Sequence, residues 1–268
     1  MYRLLAIDLD GTLLTPQRII TSRTYAALRQ AVAGGVKLVI ASGQTLDVLR
    51  AVCANLPLNV PQIIYNGAII ADIQSGTALY EQLVPDEHIL STLALLRRMH
   101  LHRVYHTHKR VYVDEGTPNA RNWYHPPVPP AIEVPEVESL YPQPCIKLVG
   151  VGNAATLREK REELERMLAG QLYVTQASRH LLEFLHPEVS KGHALATLVR
   201  ILKVRPEEVA AIGDNHNDIG MLQFAGLGIA MGNAHDEVKA VADHVTTSNA
   251  EEGVALAIEE KILPFLPR

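Results

Sequence analysis

At 268 residues, with 47% hydrophobic and 20% charged residues, the chain has the make-up of a globular protein long enough for one large domain or two moderate ones. A formal net charge of −4 argues against a general nucleic-acid binder, whose affinity depends on a basic surface that displaces counterions. No apolar run approaches a membrane span, and the N-terminal one is cut by Asp8. Only Cys53 and Cys145 occur, far apart in apolar contexts, so no membrane partner, buried thiols and a reducing cytoplasm are expected.

The first apolar run, Leu4-Leu5-Ala6-Ile7, reads as a buried strand that ends in Asp8 and Asp10 directly before Gly11-Thr12. Both carboxylates therefore fall at the strand's C-terminal edge, where ligands bind in open α/β sheets. Thr21 or Ser22 caps a helix that stops at Gly34-Gly35. A second strand over 37–41 ends in Ser42-Gly43, a hydroxyl able to donate to a phosphoryl oxygen beside backbone that can approach closely. A helix from about Thr45 to Asn55 and the strand Gln62-Ile63-Ile64-Tyr65 follow, and this alternation predicts parallel βαβ units. Residues 68–81 read as a hairpin turning at Gln74-Ser75-Gly76.

Composition shifts near Leu83-Val84-Pro85, and residues 83–187 read as an α+β unit of their own. It holds a helix capped by Asp86, a hairpin from Arg103 to Asp114, a Pro-rich stretch at 126–130, a strand at 145–151, a helix at 154–168 and strands at 171–175 and 181–185. Residues 188–268 resume the alternation, with strands near 208–213, 227–231 and 244–247. Gly213-Asp214 repeats the acid at a strand end, and Asn217-Asp218 precede a helix. Lys191-Gly192, between Ser190 and a helix expected from near His193, offers a fixed positive charge. The expected fold is α/β: a doubly wound, mainly parallel sheet core from 1–82 and 188–268, with an inserted α+β cap domain at 83–187.

DLDGTLL (8–14), ASG (41–43), SKG (190–192) and GDNHND (213–218), in that order, resemble the four motifs of the haloacid dehalogenase-like hydrolases. The insertion between the second and third motifs, with Asn66-Gly67-Ala68 and the hairpin pattern after it, is similar to the Cof-type phosphatases that carry a class II cap of type B. One departure stands out: the family usually has Arg after the Gly of the second motif, and here Gln44 stands there.

The resemblance implies a phosphatase acting on small phosphorylated metabolites, with Asp8 as nucleophile forming an aspartyl phosphate and Asp10 as acid and then base. Asp8, Asp10, Asp214 and Asp218 would crowd several acids together, and unit charges about 4 Å apart interact by about 4 kcal/mol at an effective dielectric near 20. A hard divalent cation resolves that crowding, and Mg²⁺ suits carboxylates, water and a substrate phosphate. By the resemblance, Asp8 and Asp214 are side-chain ligands, Asp10 contributes its backbone oxygen, and Asp218 stands behind them. Ser42, Gly43, Lys191 and Asn217 are the phosphate-binding set, and the inserted domain is a lid that selects the leaving group. Two other readings stay open: a non-catalytic regulatory protein that binds a phosphometabolite, and a phosphomutase on the same core.

Three further patterns compete for attention. Gly150-Val151-Gly152-Asn153-Ala154-Ala155 matches a dinucleotide-binding turn but lacks the acid about 20 residues on, so a tight strand-to-helix turn is the expected account. His106 and His108 share a strand face, and a solvated hairpin tip is expected there rather than a metal site. Trp123, Tyr124 and His125 either line a substrate pocket or anchor an irregular loop.

Overall fold

Two stretches of chain far apart in sequence build one parallel sheet. The computed structural model describes residues 1–118 and 129–266. The chain divides into two units, Met1–Tyr80 with Ser190–Arg268, and Glu81–Val189. In the first unit β1 (Leu4–Ile7), α1 (Ser22–Ala33), β2 (Lys37–Ile40), α2 (Leu46–Val52), β3 (Gln62–Ile64), β4 (Ile69–Ala71) and β5 (Ala78–Glu81) follow one another. The second unit contributes α3 (Asp86–Arg98), β6 (His102–His106), β7 (Val111–Asp114), β8 (Ile132–Val134), β9 (Lys147–Val151), α4 (Ala154–Met167), β10 (Tyr173–Ser178) and β11 (Leu181–Leu185). The chain then returns to the first unit through α5 (Lys191–Leu202), β12 (Val209–Gly213), α6 (Ile219–Phe224), β13 (Leu227–Ala230), α7 (Asp236–Lys239), β14 (His244–Val245) and α8 (Gly253–Lys261).

The parallel sheet has the order β14-β13-β12-β1-β2, so β1 is flanked by a strand 30 residues downstream and by one from the far end of the chain. β1 and β12 are buried along their whole length, which is why they read as unbroken apolar runs rather than alternating ones. α1 packs on α8 and α5 on α6. α1 begins where Thr21 accepts a hydrogen bond from the Thr24 amide, a cap contributing about 1 kcal/mol, and it buries Ala27, Leu28 and Ala31 on one stripe.

The second unit is a six-stranded sheet in the order β10-β11-β9-β6-β7-β8, antiparallel except between β7 and β8. Period-two alternation splits its apolar residues between two clusters. Tyr105, Leu148 and Phe184 pack with Leu93, Leu96 of α3 and Leu157 of α4, while Val104, Val113, Val149 and Val151 form a smaller cluster on the other face. Buried charges here are paired: Arg103 Nε lies 2.6 Å from Asp114 Oδ2, and Lys147 Nζ lies 2.5 Å from Glu183 Oε1.

Gln62–Ile64 meets the parallel sheet through a parallel bridge between Ala41 and Ile63 and the Ser42 amide donated to the Ile63 carbonyl, and on its other side it pairs antiparallel with β4. Three local expectations need correction. Pro85, not Asp86, is the N-cap of α3, and Asp86 with Glu87 fills the first turn, where acids suit the positive helix end. The helix expected from His193 begins at Lys191, because Ser190 accepts from the His193 amide at 3.0 Å. His106 is buried at the end of β6 instead of lying in a solvated tip; His108 is the exposed one. The Gly150–Ala155 stretch is a turn from β9 into α4, capped by Asn153. Cys53 and Cys145 are free and buried, and burial pushes the Cys53 thiol up to about 12. Trp123, Tyr124, His125 and most of the Pro-rich stretch lie outside the described residues. Among those described, no helix is long and apolar enough to cross a membrane.

Candidate active site

The three central parallel strands end in the residues that carry chemistry. Ile7 is in register with Ile212 on one side and Ile40 on the other, so Asp8, Gly213-Asp214 and Ala41-Ser42 emerge together at the C-terminal ends of β1, β12 and β2. The chain leaves β1 toward β2 on one side and returns as β12 on the other, which makes this edge the topological switch point of the sheet.

Asp8 is 5% exposed, Lys191 1% and Asp218 0%. Lys191 Nζ donates to Oδ1 of Asp8 and, at 2.6 Å, to Oδ1 of Asp218. The other oxygen of Asp218 accepts the backbone amides of Asp214 and Asn215, both at 3.0 Å, so Asp218 ties the Lys191 ammonium to the loop after β12. Thr12 Oγ1 donates to Asp214 Oδ1 at 2.7 Å. Two glycines permit this approach. Gly11, at φ +89°, has Asp214 Oδ2 within 2.4 Å of where a Cβ would sit, and a Cβ on Gly192 would come within 2.6 Å of the Gly220 backbone, where α5 crosses α6.

One carboxylate oxygen each from Asp8, Asp214 and Asp218 lies within 4.8 Å of the others. Three acids facing one lysine leave surplus negative charge. Burial pushes the Asp8 carboxyl well above its ordinary range, a rise that Lys191 opposes and that Asp218 and Asp214 reinforce. Asp214 is raised too, first by burial, with the Thr12 hydrogen bond acting against it. Burial disfavours the charged form of Lys191, yet the Asp218 and Asp8 carboxylates outweigh it and raise its pKa. Hard oxygen donors with uncompensated charge fit a divalent cation.

Asp10 stands apart from that trio. Gln44 Nε2 donates to its Oδ2 at 2.7 Å, and the Arg18 guanidinium lies 3.1 Å from its Oδ1. Ser42 is 1% exposed; its Oγ accepts the Gln44 amide at 3.1 Å, leaving the hydroxyl proton able to donate elsewhere. Asn217 Nδ2 donates to Asn66 Oδ1 at 3.0 Å, so the amide expected to meet phosphate is here joined to the Asn66-Gly67 loop. The backbone there is unusual: Tyr65 and Asn66 both have positive φ, and the Asn66 amide donates to the Ser42 carbonyl.

The site thus gathers Asp8, Asp214, Asp218 and Lys191, with Asp10 held by Gln44 and Arg18. Sequence reasoning missed Thr12, Asn233 and Arg18. Thr12 was visible as the hydroxyl after Gly11. Asn233, which donates to the Gly11 carbonyl at 2.9 Å, follows Gly232 after a parallel strand, the same signal that marked Asp214. Arg18 lies in a loop whose course no periodicity reveals.

The family model for haloacid dehalogenase-like hydrolases matches residues 5–258. The chain is 32% identical to 5-amino-6-(5-phospho-D-ribitylamino)uracil phosphatase YcsE of Bacillus subtilis, over 97% of this chain and 96% of that protein. It is 29% identical to pyridoxal phosphate phosphatase YbhA of Escherichia coli, over 97% and 99%. A haloacid dehalogenase-like hydrolase from Bacteroides thetaiotaomicron has a solved structure that superposes with a TM-score of 0.83 at 32% identity, covering 97% of this chain and 99% of that one. The fold is α/β, with a parallel sheet core and a carboxylate cluster at its ligand-binding edge. The chain belongs to the haloacid dehalogenase-like hydrolases, within their Cof-type branch, and it is a phosphatase.

Proposed function

We propose that the protein is a Mg²⁺-dependent phosphatase of small phosphorylated metabolites that works through an aspartyl phosphate on Asp8. The observation that carries this reading is the buried surplus of acids around Lys191 at the ends of β1 and β12. A carboxylate of Asp8 attacks phosphorus, the bond from phosphorus to the leaving oxygen breaks, and Asp10 delivers a proton to that oxygen. Asp10 next takes a proton from water as the water oxygen attacks the aspartyl phosphate, and inorganic phosphate leaves with Asp8 restored.

Lys191 limits the cost of ionising Asp8 in a buried setting and follows charge on the phosphoryl oxygens. Ser42, the backbone at Gly43 and Asn217 supply donors. The side chains of Asp8 and Asp214 and the backbone oxygen of Asp10 would hold Mg²⁺, with Asp218 orienting Lys191 and the loop amides. The ion, when bound, offsets the surplus negative charge and polarises the phosphoryl oxygens. The inserted unit, about 83–187, selects the leaving group.

Relatives that act on a phosphoribitylamino-uracil and on pyridoxal phosphate suggest the first compounds for a screen. The test is phosphate release from a panel of such monoesters with Mg²⁺ and after chelation. Release that needs Mg²⁺ supports the reading; hydrolysis undiminished by rigorous chelation, or none from any monoester, overturns it.

A further inference from the structure

Asp10 is held from two sides, by a neutral amide and by a cation. Gln44 gives a neutral amide to Oδ2. Oδ1 is buried and receives no aligned hydrogen bond among the described residues, and the group beside it is the Arg18 guanidinium at 3.1 Å. Arg18 lies eight residues along the chain, and the loop between them is tightly built. Leu14 returns to the end of β1 by donating its amide to the Leu9 carbonyl, the Asn249 side-chain amide donates to the Leu14 carbonyl, and a turn closes as the Arg18 amide donates to the Thr15 carbonyl and the Thr15 amide donates to the Ile19 carbonyl.

That turn places Arg18 at φ +61°, a left-handed conformation that glycine or asparagine adopts at lower cost than arginine. A residue kept against its backbone preference points to a use for its side chain. The side chain is 64% exposed, so packing does not account for it; among the described residues, the acidic group it reaches in an ion pair is Asp10. We propose that Arg18 is a positioning residue for Asp10: its guanidinium and the Gln44 amide hold the two carboxylate oxygens and keep the proton-transferring carboxyl in one rotamer. Arg18 thereby supplies, from the loop after β1, the cation that the second motif lacks at Gln44. This inference rests on the role of Asp10 in the proposed reaction.

The experiment compares Arg18→Gly, Arg18→Lys and the double variant Arg18→Gly with Gln44→Arg in the full chain. Arg18→Gly relieves the backbone, so Tm should hold or rise. Its kcat/KM should fall about 5- to 50-fold on an alkyl phosphate, mostly in kcat, and much less on p-nitrophenyl phosphate, whose leaving group needs little proton assistance. Arg18→Lys should lose less, and Gln44→Arg in the Arg18→Gly background should recover most of the loss, because the cation's place matters and not its origin. A structural role would be read as equal losses on both substrates, and those, or an unchanged kcat/KM, overturn the proposal. Crystal structures of wild type and Arg18→Gly give a readout that needs no turnover: Asp10 should spread over several rotamers in the variant, and a single unchanged rotamer refutes the proposal. If wild type hydrolyses no monoester, the proposed function fails, and the rotamer comparison still decides the role of Arg18.

Discussion

Each unit buries a lysine against carboxylates, and the two sites differ in charge balance. Lys147 in the second unit forms a buried ion pair with Glu183. Lys191 in the first serves both Asp8 and Asp218, with Asp214 close enough to share a cation with them. Desolvating an ion costs several kcal/mol unless a partner offsets it. The pair at Lys147 comes close to neutral. The cluster at Lys191 does not: burial raises the Asp8 carboxyl, Lys191 opposes the rise, and Asp218 and Asp214 add to it. Burial alone therefore does not mark a reacting site; burial with a charge surplus at the ligand-binding edge of a sheet does.

The most severe way to break this comparison is Asp8→Asn. Turnover should fall by at least about 10⁴-fold while the fold persists, as read by single-turnover phosphate release beside thermal unfolding. In chelated protein the variant should be no less stable at neutral pH. The native carboxyl of Asp8 binds its proton more readily than the unfolded one, so wild-type stability declines as pH rises from the ordinary carboxylate value of 3.8 toward the raised native pKa, and Asn removes that decline.

Chelation should abolish hydrolysis and lower Tm, with both restored by Mg²⁺; Ca²⁺ should inhibit, since its larger, more flexible coordination suits Asp8 poorly as a nucleophile. A Tm indifferent to Mg²⁺ would leave the acid surplus without its counterion. Next in size, Asp10→Asn should slow turnover by roughly 10²–10⁴-fold, with the defect shrinking for p-nitrophenyl phosphate where phosphorylation limits the rate.

The second unit should respond in stability. Lys147→Met breaks a buried ion pair with Glu183 and should cost about 3–5 kcal/mol in denaturant unfolding, while leaving the Mg²⁺-dependent rise in Tm in place. The smallest effect concerns His106, whose burial, with Lys147 nearby, drives its pKa well below 6.5. Its native form resists protonation, so its contribution is intact above pH 6.5 and is lost as pH falls below it, by up to about 1.4 kcal/mol per pH unit. His106→Gln should flatten that slope in unfolding measured at pH 7 and pH 5; a slope unchanged in the variant would assign it to other groups.

Local pattern carried much of this fold. Strand ends marked Asp8, Ser42 and Asp214 because parallel strands buried on both faces read as plain apolar runs that stop abruptly. The cap at Thr21 was equally visible, since its side chain acts within three residues. What failed depended on distance in the chain. Lys191 read as a fixed charge for phosphate, but its two acid partners, 183 and 27 residues away, left no mark in the local pattern. The hold on Asp10 was hidden for the same reason: a loop at positive φ brings Arg18 to it, and nothing in residue spacing announces that turn.

The central claim, that Asp8 carries the phosphoryl group in flight, is tested most directly by acid-quenching the Asp10→Asn variant with radiophosphate-labelled p-nitrophenyl phosphate and Mg²⁺. The good leaving group allows phosphorylation, and loss of the base at Asp10 slows the hydrolysis that follows. The account predicts acid-stable, hydroxylamine-labile label on the peptide that contains Asp8. Release of p-nitrophenol with no label on that peptide, or with label on another residue, would contradict it.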